Sequence, residues 1–256
     1  GSADDTKMFY TSLYRVLLHP NTFNDADGRY LGFDGKVHQL EPGQAAQYTN
    51  VSDWDTYRSL MPLQAMLFPD EASDLAQSLV NDAEQSGSFP RWKIANGTTG
   101  QMTGDSVVPL IVNAYVYGGQ DFDTASALEY MVSSAMTGGQ SSVTPSYLER
   151  SGADQYNRLQ YGPQTSAFKG DHQIVGASIT QEWSIDDFAI GRFAAALGDR
   201  ETSRTFQTRS TWWRNIFNPA WNTVTPRNAD GTFMDVRDAL AQGFGQAGFD
   251  EGNSEQ

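Results

Sequence analysis

Apolar residues recur at intervals of three and four positions along most of the chain, which is the spacing of one face of an α-helix. The first such run covers residues 4–18 and ends at His19-Pro20, because a proline cannot continue a helix. Glycine-rich or polar segments separate the later runs. Regular alternation of apolar and polar residues, which marks a half-buried strand, extends over no more than a few positions. The pattern therefore predicts an all-α chain.

The periodic runs predict helices that follow one another mostly in adjacent pairs. They cover residues 4–18, 52–68, 70–87, 105–117, 121–136, 180–197 and 199–217. Ser52, Asp121 and Asp199 are the predicted N-caps, since their side chains can accept hydrogen bonds from the free N–H groups of a first turn. Gly198 is a predicted C-terminal stop. Antiparallel helix hairpins in succession, joined by long aromatic-rich loops, are typical of an α/α toroid.

The segment of residues 24–35 carries two turn signals around a short aromatic stretch, which predicts a small hairpin or an ordered loop. Asp25 and Asp27 in this segment resemble half of a calcium-binding loop. The distal glutamate of that pattern is missing, so we interpret both residues as turn formers.

The amino-acid composition and net charge exclude some classes of function for this protein. The net charge of −14 argues against nucleic acid binding, because that binding needs clustered Lys and Arg. The lack of cysteine excludes disulfides and thiolate metal sites. No apolar run reaches ~18 residues, so no membrane span is predicted. The six Trp, eleven Tyr and fourteen Phe suit either sugar-stacking faces or a hydrophobic core.

The first candidate for chemistry is the glycine-rich stretch of residues 248–256, in which Glu251 is followed by Gly252. Glycine permits backbone conformations that are closed to other residues and lets a ligand approach closely. A carboxylate on such a turn is a candidate catalytic or metal-binding group. The alternative is a flexible acidic tail.

The second candidate is the group Trp54, Asp55 and Arg58 at the N-terminal end of a predicted helix. Trp54 and Arg58 are one helical turn apart and share a face. An aromatic plate, a carboxylate and a guanidinium can hold a polyol by stacking and bidentate hydrogen bonds. The alternative is a capping aspartate beside a surface ion pair.

The loops at one end of an α/α toroid carry its site, so residues near helix starts are expected to converge. Residues at or before the predicted starts are Trp54, Met102, Glu182 and Glu251.

An ordered series of short motifs resembles the catalytic region of glycoside hydrolase family 92, the calcium-dependent α-mannosidases. The motifs are Phe9-Tyr10-Thr11-Ser12-Leu13-Tyr14, Gly32-Phe33-Asp34-Gly35-Lys36-Val37-His38, Trp54-Asp55-Thr56-Tyr57-Arg58, Gln101-Met102-Thr103-Gly104-Asp105, Glu182-Trp183-Ser184-Ile185-Asp186-Asp187 and Asp250-Glu251-Gly252-Asn253. The series extends over nearly the whole chain, and its specificity lies in the order rather than in any single motif.

The resemblance implies an (α/α)6 catalytic domain of which residues 1–256 form the first part. An N-terminal β domain and the C-terminal part of the catalytic domain would then be missing and would be partners within the same polypeptide. Members of the family are mostly bacterial and exported, so a secreted or periplasmic location is expected.

The resemblance also implies inverting hydrolysis of terminal α-mannosides in mannose-containing glycans, with Ca2+ as cofactor. Glu251 matches the general acid, and Trp54, Asp55 and Arg58 match the terminal-mannose pocket. Further pocket candidates are Asp34 and Asp105. The catalytic base and most calcium ligands are expected beyond residue 256, so this chain alone is expected to be inactive.

Ser254-Glu255 departs from the family pattern, which usually has a small residue and then an aromatic one after Glu-Gly-Asn. A carboxylate at Glu255 would raise the pKa of one member of the pair with Glu251. An altered acid region also leaves the leaving group open, either a sugar, with α-1,2 linkage favoured, or a mannose phosphodiester. Two other functions stay open, an α/α-toroid glycosidase for another α-linked sugar and a non-catalytic carbohydrate-binding protein.

Overall fold

The computed structural model describes residues 1–144, 147–170, 174–235 and 247–254. Helices dominate this part of the chain. They are α1 (Ala3–Val16), α2 (Asp53–Thr56), α3 (Leu60–Leu67), α4 (Pro69–Ser86), α5 (Val107–Tyr117), α6 (Thr124–Thr137), α7 (Ala153–Leu159), α8 (Gly176–Ala196) and α9 (Arg200–Arg209). Two 3-10 helices, Ser166–Phe168 and Trp212–Ile216, follow α7 and α9. The predicted helical character is confirmed, whereas the closed toroid stays a prediction.

Short antiparallel strand pairs in the loops were missing from the all-α prediction. The pairs are β1 (Asn21–Thr22) with β4 (Tyr48–Thr49), β2 (Arg29–Leu31) with β3 (Val37–Gln39), β5 (Lys93–Ile94) with β6 (Gly97–Thr98), β7 (Gly139–Gln140) with β8 (Leu148–Glu149), and β9 (Phe217–Asn218) with β10 (Thr223–Val224). Strands of two or three residues are too short for a pattern of alternating burial to show in the sequence. Residues 24–35 contribute one strand, β2, to a hairpin, but its turn extends to residue 36 and its partner β3 lies beyond the predicted segment.

The main core lies between α3, α4, α5, α6 and α8. It is built from aliphatic side chains of facing helices, such as Met61, Leu79, Leu110 and Met131, each of which is fully buried. Gly191 lets α8 pack closely on α9, since a Cβ there would lie 3.1 Å from the backbone nitrogen of Gln207. None of the described helices is long and apolar enough to cross a membrane.

The helix predicted over residues 52–68 is interrupted. Helix α2 ends at Thr56 and α3 begins at Leu60. Pro62 explains the break, because its ring would clash with the carbonyl of Arg58 and it has no N–H to donate. The carbonyl of Tyr57, in the break between the two helices, accepts a hydrogen bond of 2.7 Å from Asn113 Nδ2. Ser52 occupies the N-cap position of α2 as predicted, but its side chain forms no capping hydrogen bond there.

Several other helix boundaries also differ from the predicted ones. Helix α8 begins at Gly176 rather than at residue 180, so Glu182 lies within the helix and not at its start. Helix α9 ends at Arg209, and the tryptophans after it belong to a 3-10 helix. Asp199 caps α9 as predicted, accepting from the N–H groups of the first turn.

The N-cap of α6 is Asp123 and not the predicted Asp121. The Asp123 carboxylate accepts from the backbone N–H groups of Ala125 and Ser126 at 3.1 and 3.0 Å. We expect Asp123→Ala to lower the free energy of unfolding by about 1 kcal/mol, as is usual for loss of a cap. Urea denaturation measures this change. Asp121→Ala is the matched control, and an equal loss in both variants would contradict the assignment of the cap.

Candidate active site

A cluster of polar side chains forms where α2 meets the middle of α8. The guanidinium of Arg58 stacks on the Trp54 ring, with 4.6 Å from Cζ to the ring centroid, and on Tyr57 at 4.8 Å. Its Nη2 lies 3.4 Å from Oε1 of Glu182. The Arg58 side chain is 44% exposed, whereas that of Glu182 is 14% exposed. The cluster therefore presents a cation and an aromatic edge to solvent, over a largely covered carboxylate.

The position of Glu182 is fixed by the loop that precedes α5. Gly104 in this loop has φ +89°, and a Cβ there would lie 2.8 Å from Cβ of Glu182. Only glycine lets the loop approach α8 so closely. Burial raises the pKa of Glu182, although the Arg58 cation opposes this.

Asp105 and Asp186 form a buried pair of acids beside Glu182. The backbone N–H of Asp105 donates to Oδ2 of Asp186 at 3.1 Å, and both side chains are shielded from solvent. Burial and the neighbouring Asp105 raise the pKa of Asp186 well above its usual value. Although burial opposes its ionisation, Arg150 lowers the pKa of Asp105. Of the two carboxyl groups, that of Asp186 therefore binds a proton more readily.

A chain of ion pairs ties this acid pair to the rest of the core. Arg150 is completely buried and donates through Nε to Asp105 at 2.8 Å and through Nη1 to Asp187 at 2.6 Å. The other oxygen of Asp187 accepts from Arg209 Nε at 2.9 Å. The loop before α5, the loop after β8, and helices α8 and α9 are therefore held together beneath the candidate site.

Two more buried acids lie near this network. Burial raises the pKa of Glu149 to about 8, and its Oε2 accepts a short hydrogen bond from Tyr147. Burial also raises the pKa of Asp53 to about 7, although Asp53 Oδ1 accepts from the backbone N–H of Trp92 at 2.7 Å. At neutral pH Glu149 is therefore mostly protonated.

The shifted pKa of Glu149 predicts a fall in stability with rising pH. Because the folded state binds this proton more tightly, the contribution is fully present below about pH 4.5 and is lost as the pH rises to about 8. Between these limits one such group changes the free energy of unfolding by up to about 1.4 kcal/mol per pH unit. We expect Glu149→Gln to flatten that decline.

Denaturant unfolding of wild type and Glu149→Gln at pH 5 and pH 8 measures the effect. Glu129→Gln is the matched control, since Glu129 is exposed on α6. An unchanged pH dependence in Glu149→Gln would contradict the protonated state of Glu149.

The segment that carries Glu251 lies against the N-terminus of α8 and the loop before α5. The carbonyl of Gly248 accepts from the N–H of Ala177 at 3.0 Å, and the N–H of Asp250 donates to Ser178 Oγ at 2.9 Å. The side chain of Asp250 accepts a short hydrogen bond from Thr103 Oγ1. Glu251 itself is exposed, and its φ of +50° places it in the left-handed region of backbone conformation. Glu255 lies outside the described residues.

The structure brings together some of the sequence-predicted site residues and not others. Trp54, Arg58 and Asp105 all meet the same stretch of α8, through Glu182 and Asp186. Through Asp250 and Thr103, Glu251 is a neighbour of the same loop.

Asp34 and Asp55 are placed differently. Asp34 stays within the β2–β3 hairpin, where it binds His38 Nε2 at 2.9 Å and the Lys36 N–H at 3.0 Å. The hydrogen bond with His38 lowers the pKa of Asp34 to about 2. Asp55 is exposed at the end of α2. The candidate sugar-facing group of the described chain therefore centres on Trp54 and Arg58.

Sequence reasoning missed Arg150 and Arg209, and it did not assign a role to Glu182 or Asp186. The available signal was the position of Glu182 and Asp186 four residues apart on one face of an otherwise apolar helix. Arg150 lies in a polar loop and carried no such signal. Among the described residues there is no group of three or more His, Asp or Glu side chains that could hold a metal ion.

Comparison with known proteins gives consistent results. Residues 1–256 match the family model described as the glycosyl hydrolase family 92 catalytic domain. No curated protein matches the chain. Among solved structures, a family GH92 inverting mannosidase from Bacteroides thetaiotaomicron VPI-5482 is similar to this chain, with 30% identity and a TM-score of 0.81. The match covers 96% of this chain and 32% of that one.

A family GH92 α-mannosidase from Bacteroides thetaiotaomicron is also similar, with 27% identity, a TM-score of 0.81, and coverage of 96% of this chain and 31% of that one. The same enzyme in complex with mannoimidazole matches with a TM-score of 0.76, over 88% of this chain and 28% of that one, again at 27% identity. The chain thus spans about a third of the length of these structures.

Proposed function

The chain belongs to glycosyl hydrolase family 92, and we propose that it forms part of an inverting exo-α-mannosidase that removes terminal α-linked mannose from glycans. The observation that carries this proposal is the 30% identity, over 96% of the chain, to a structure named as an inverting mannosidase. The second similar enzyme, solved with mannoimidazole, supports a mannose-like ligand. We favour an α-1,2-linked mannose as substrate, with a mannose phosphodiester as the second candidate.

Glu251 is the proposed general acid, which protonates the glycosidic oxygen as the bond to the leaving group breaks. An inverting enzyme needs a second carboxylate on the opposite face of the sugar, roughly 6.5–9.5 Å away, to activate water. We place that base outside residues 1–256, in sequence that completes the catalytic domain beside an N-terminal β domain. The exposed position of Glu251 on a turn supports access to a leaving group.

Trp54 and Arg58 are the proposed binding residues for the terminal sugar. The Arg58 guanidinium can donate to vicinal hydroxyl groups, and the Trp54 ring offers an apolar face for the C–H groups of a pyranose. The stacking of Arg58 on Trp54 holds both groups at the same place on the surface. Asp55, Asp34 and Asp105 are weaker members of this proposal, since Asp34 and Asp105 are bound to other side chains.

Calcium is the proposed cofactor, and it would coordinate sugar hydroxyl groups and help distort the ring. Hard cations such as Ca2+ take six to eight oxygen ligands. The described residues contain no cluster of three acidic or histidine side chains that would fit such a centre. A secreted or periplasmic location is proposed from the family resemblance.

The proposed function is tested by mannose release from α-1,2-mannobiose and from an aryl α-mannoside, with Ca2+ and with a chelator. The assay uses the polypeptide in which this chain occurs. Release that requires Ca2+ would support both the activity and the cofactor. Release that survives the chelator would remove calcium from the proposal. Binding of mannose without release would instead favour a non-catalytic carbohydrate-binding protein.

A further inference from the structure

Two buried polar atoms at the Arg58 cluster form no hydrogen bond of good geometry, although the Trp54 indole lies near enough to the Glu182 carboxylate to lower its pKa. They are Oε2 of Glu182 and Nε1 of Trp54. Unpaired buried polar groups are uncommon in folded proteins because they lose their hydration without compensation. Each therefore calls for a ligand, a water molecule or a function.

The two atoms are complementary and close together. One belongs to a carboxylate and accepts hydrogen bonds, and the other belongs to an indole and only donates. Both side chains touch the same guanidinium, that of Arg58. A sugar hydroxyl donates one hydrogen bond and accepts others, so a single hydroxyl group can satisfy both atoms at once.

The Arg58 guanidinium contacts both side chains that carry these atoms. Its contact with Glu182 is long, at 3.4 Å, and its side chain is 44% exposed. Exposed ion pairs with such geometry contribute little to stability, because water screens them and two long side chains must be held in place. Loss of the Arg58–Glu182 contact alone therefore costs little, and Arg58 can keep its stack on Trp54 and its Nε hydrogen bond of 3.1 Å to the Trp54 carbonyl.

The base of the Glu182 side chain, by contrast, is tightly packed. Gly104 approaches within contact distance of its Cβ, and Asp186 lies one helical turn further along α8. This packing limits the positions that the carboxylate can take, which favours discrimination among hydroxyl groups in different orientations.

We propose that Glu182 is a specificity-determining residue, whose Oε2 accepts a hydrogen bond from one hydroxyl of the terminal sugar while Trp54 Nε1 donates to the same hydroxyl, once the Arg58 guanidinium has released Glu182. This inference rests on the proposed function, since it takes the terminal α-mannoside as ligand. It adds a contact that the sequence motifs did not assign.

The test is a substrate–variant cycle with aryl α-mannosides that lack the 2-, 3-, 4- or 6-hydroxyl in turn. Wild type is compared with Glu182→Gln, Trp54→Phe and the exposed control Glu129→Gln. In wild type, loss of the contacted hydroxyl should lower kcat/KM by about 10- to 100-fold, as for a hydrogen bond to a charged group. In Glu182→Gln and in Trp54→Phe, loss of that same hydroxyl should lower kcat/KM by only a few-fold. The falls in kcat/KM on loss of each other hydroxyl, which are the other penalties, should stay as in wild type. The control should keep all of them.

Because each penalty is a ratio within one variant, it does not depend on the fraction of folded protein. If wild type hydrolyses the parent mannoside and every penalty survives in Glu182→Gln, this inference is overturned while the proposed function stands. Loss of different hydroxyl contacts in the two variants would also overturn it. If wild type neither binds the mannosides in calorimetry nor hydrolyses them, the proposed function and this inference fail together. If wild type binds the mannosides without hydrolysing them, and both site variants lose the affinity contribution of the same hydroxyl, the inference is supported and only the proposed hydrolytic activity is contradicted.

Discussion

We expect replacement of Glu251 by glutamine to lower kcat on α-1,2-mannobiose by about 100- to 10,000-fold, and to lower kcat on an aryl α-mannoside with an acidic phenol far less. The magnitude is that of a lost general acid. A sugar alkoxide is a poor leaving group and needs the proton, but a phenolate of low pKa departs without it. Steady-state kinetics on both substrates measures the two effects in the polypeptide in which this chain occurs.

Glu129→Gln carries the same change of charge and should leave both rates unaltered. Equal losses of kcat on the two substrates after Glu251→Gln would contradict the acid role, because only the acid step depends on the leaving group. A mannose phosphodiester would behave like the aryl mannoside if the phosphate leaves without protonation.

Replacement of Arg150 by methionine lowers the free energy of unfolding by about 3–5 kcal/mol, which is the usual cost of removing one partner from a buried ion pair. Arg150 is fully buried and is the only bridge that the described residues show between Asp105 and Asp187. Methionine fills similar volume, so the loss reflects the stranded carboxylates. The loss should be larger at pH 8 than at pH 5, since protonation relieves an unpaired buried acid.

Urea unfolding at the two pH values measures this effect. Arg29→Met is the matched control, because Arg29 pairs with Asp27 at 2.7 Å on the surface, where both side chains are more than half exposed. The control should unfold much as wild type does. A loss in Arg150→Met no larger than in Arg29→Met would show that the buried network contributes nothing to stability.

The helices could be predicted from the sequence because their signals are local. Apolar spacing located α1, α4, α5, α6 and α8 to within a few residues, and Asp199 was recognisable as a cap. The end of α9 was predicted too late, and α7 was not predicted. The break before α3 depended on Pro62, whose effect reaches back to the carbonyl of Arg58. The cap of α6 could be either of two aspartates two positions apart, and the backbone geometry alone selects Asp123.

The candidate site could be predicted only in part. Trp54 and Arg58 were identifiable as a stacked pair, because one helical turn separates them. Their contact with Glu182 joins residues 124 positions apart and follows from how α8 packs, which no local pattern encodes. Asp34 carries a turn motif like that of a binding residue, and its carboxylate is engaged by its own hairpin.

The central claim, inverting hydrolysis of an α-mannoside, is tested most directly by proton NMR of the product as it forms. An aryl α-mannoside is mixed with the polypeptide in which this chain occurs, and the anomeric signals of free mannose are followed before mutarotation. The account predicts that β-mannose appears first and that the α-anomer grows in later. Initial release of α-mannose would mean retention and would contradict the account, as would the absence of any mannose.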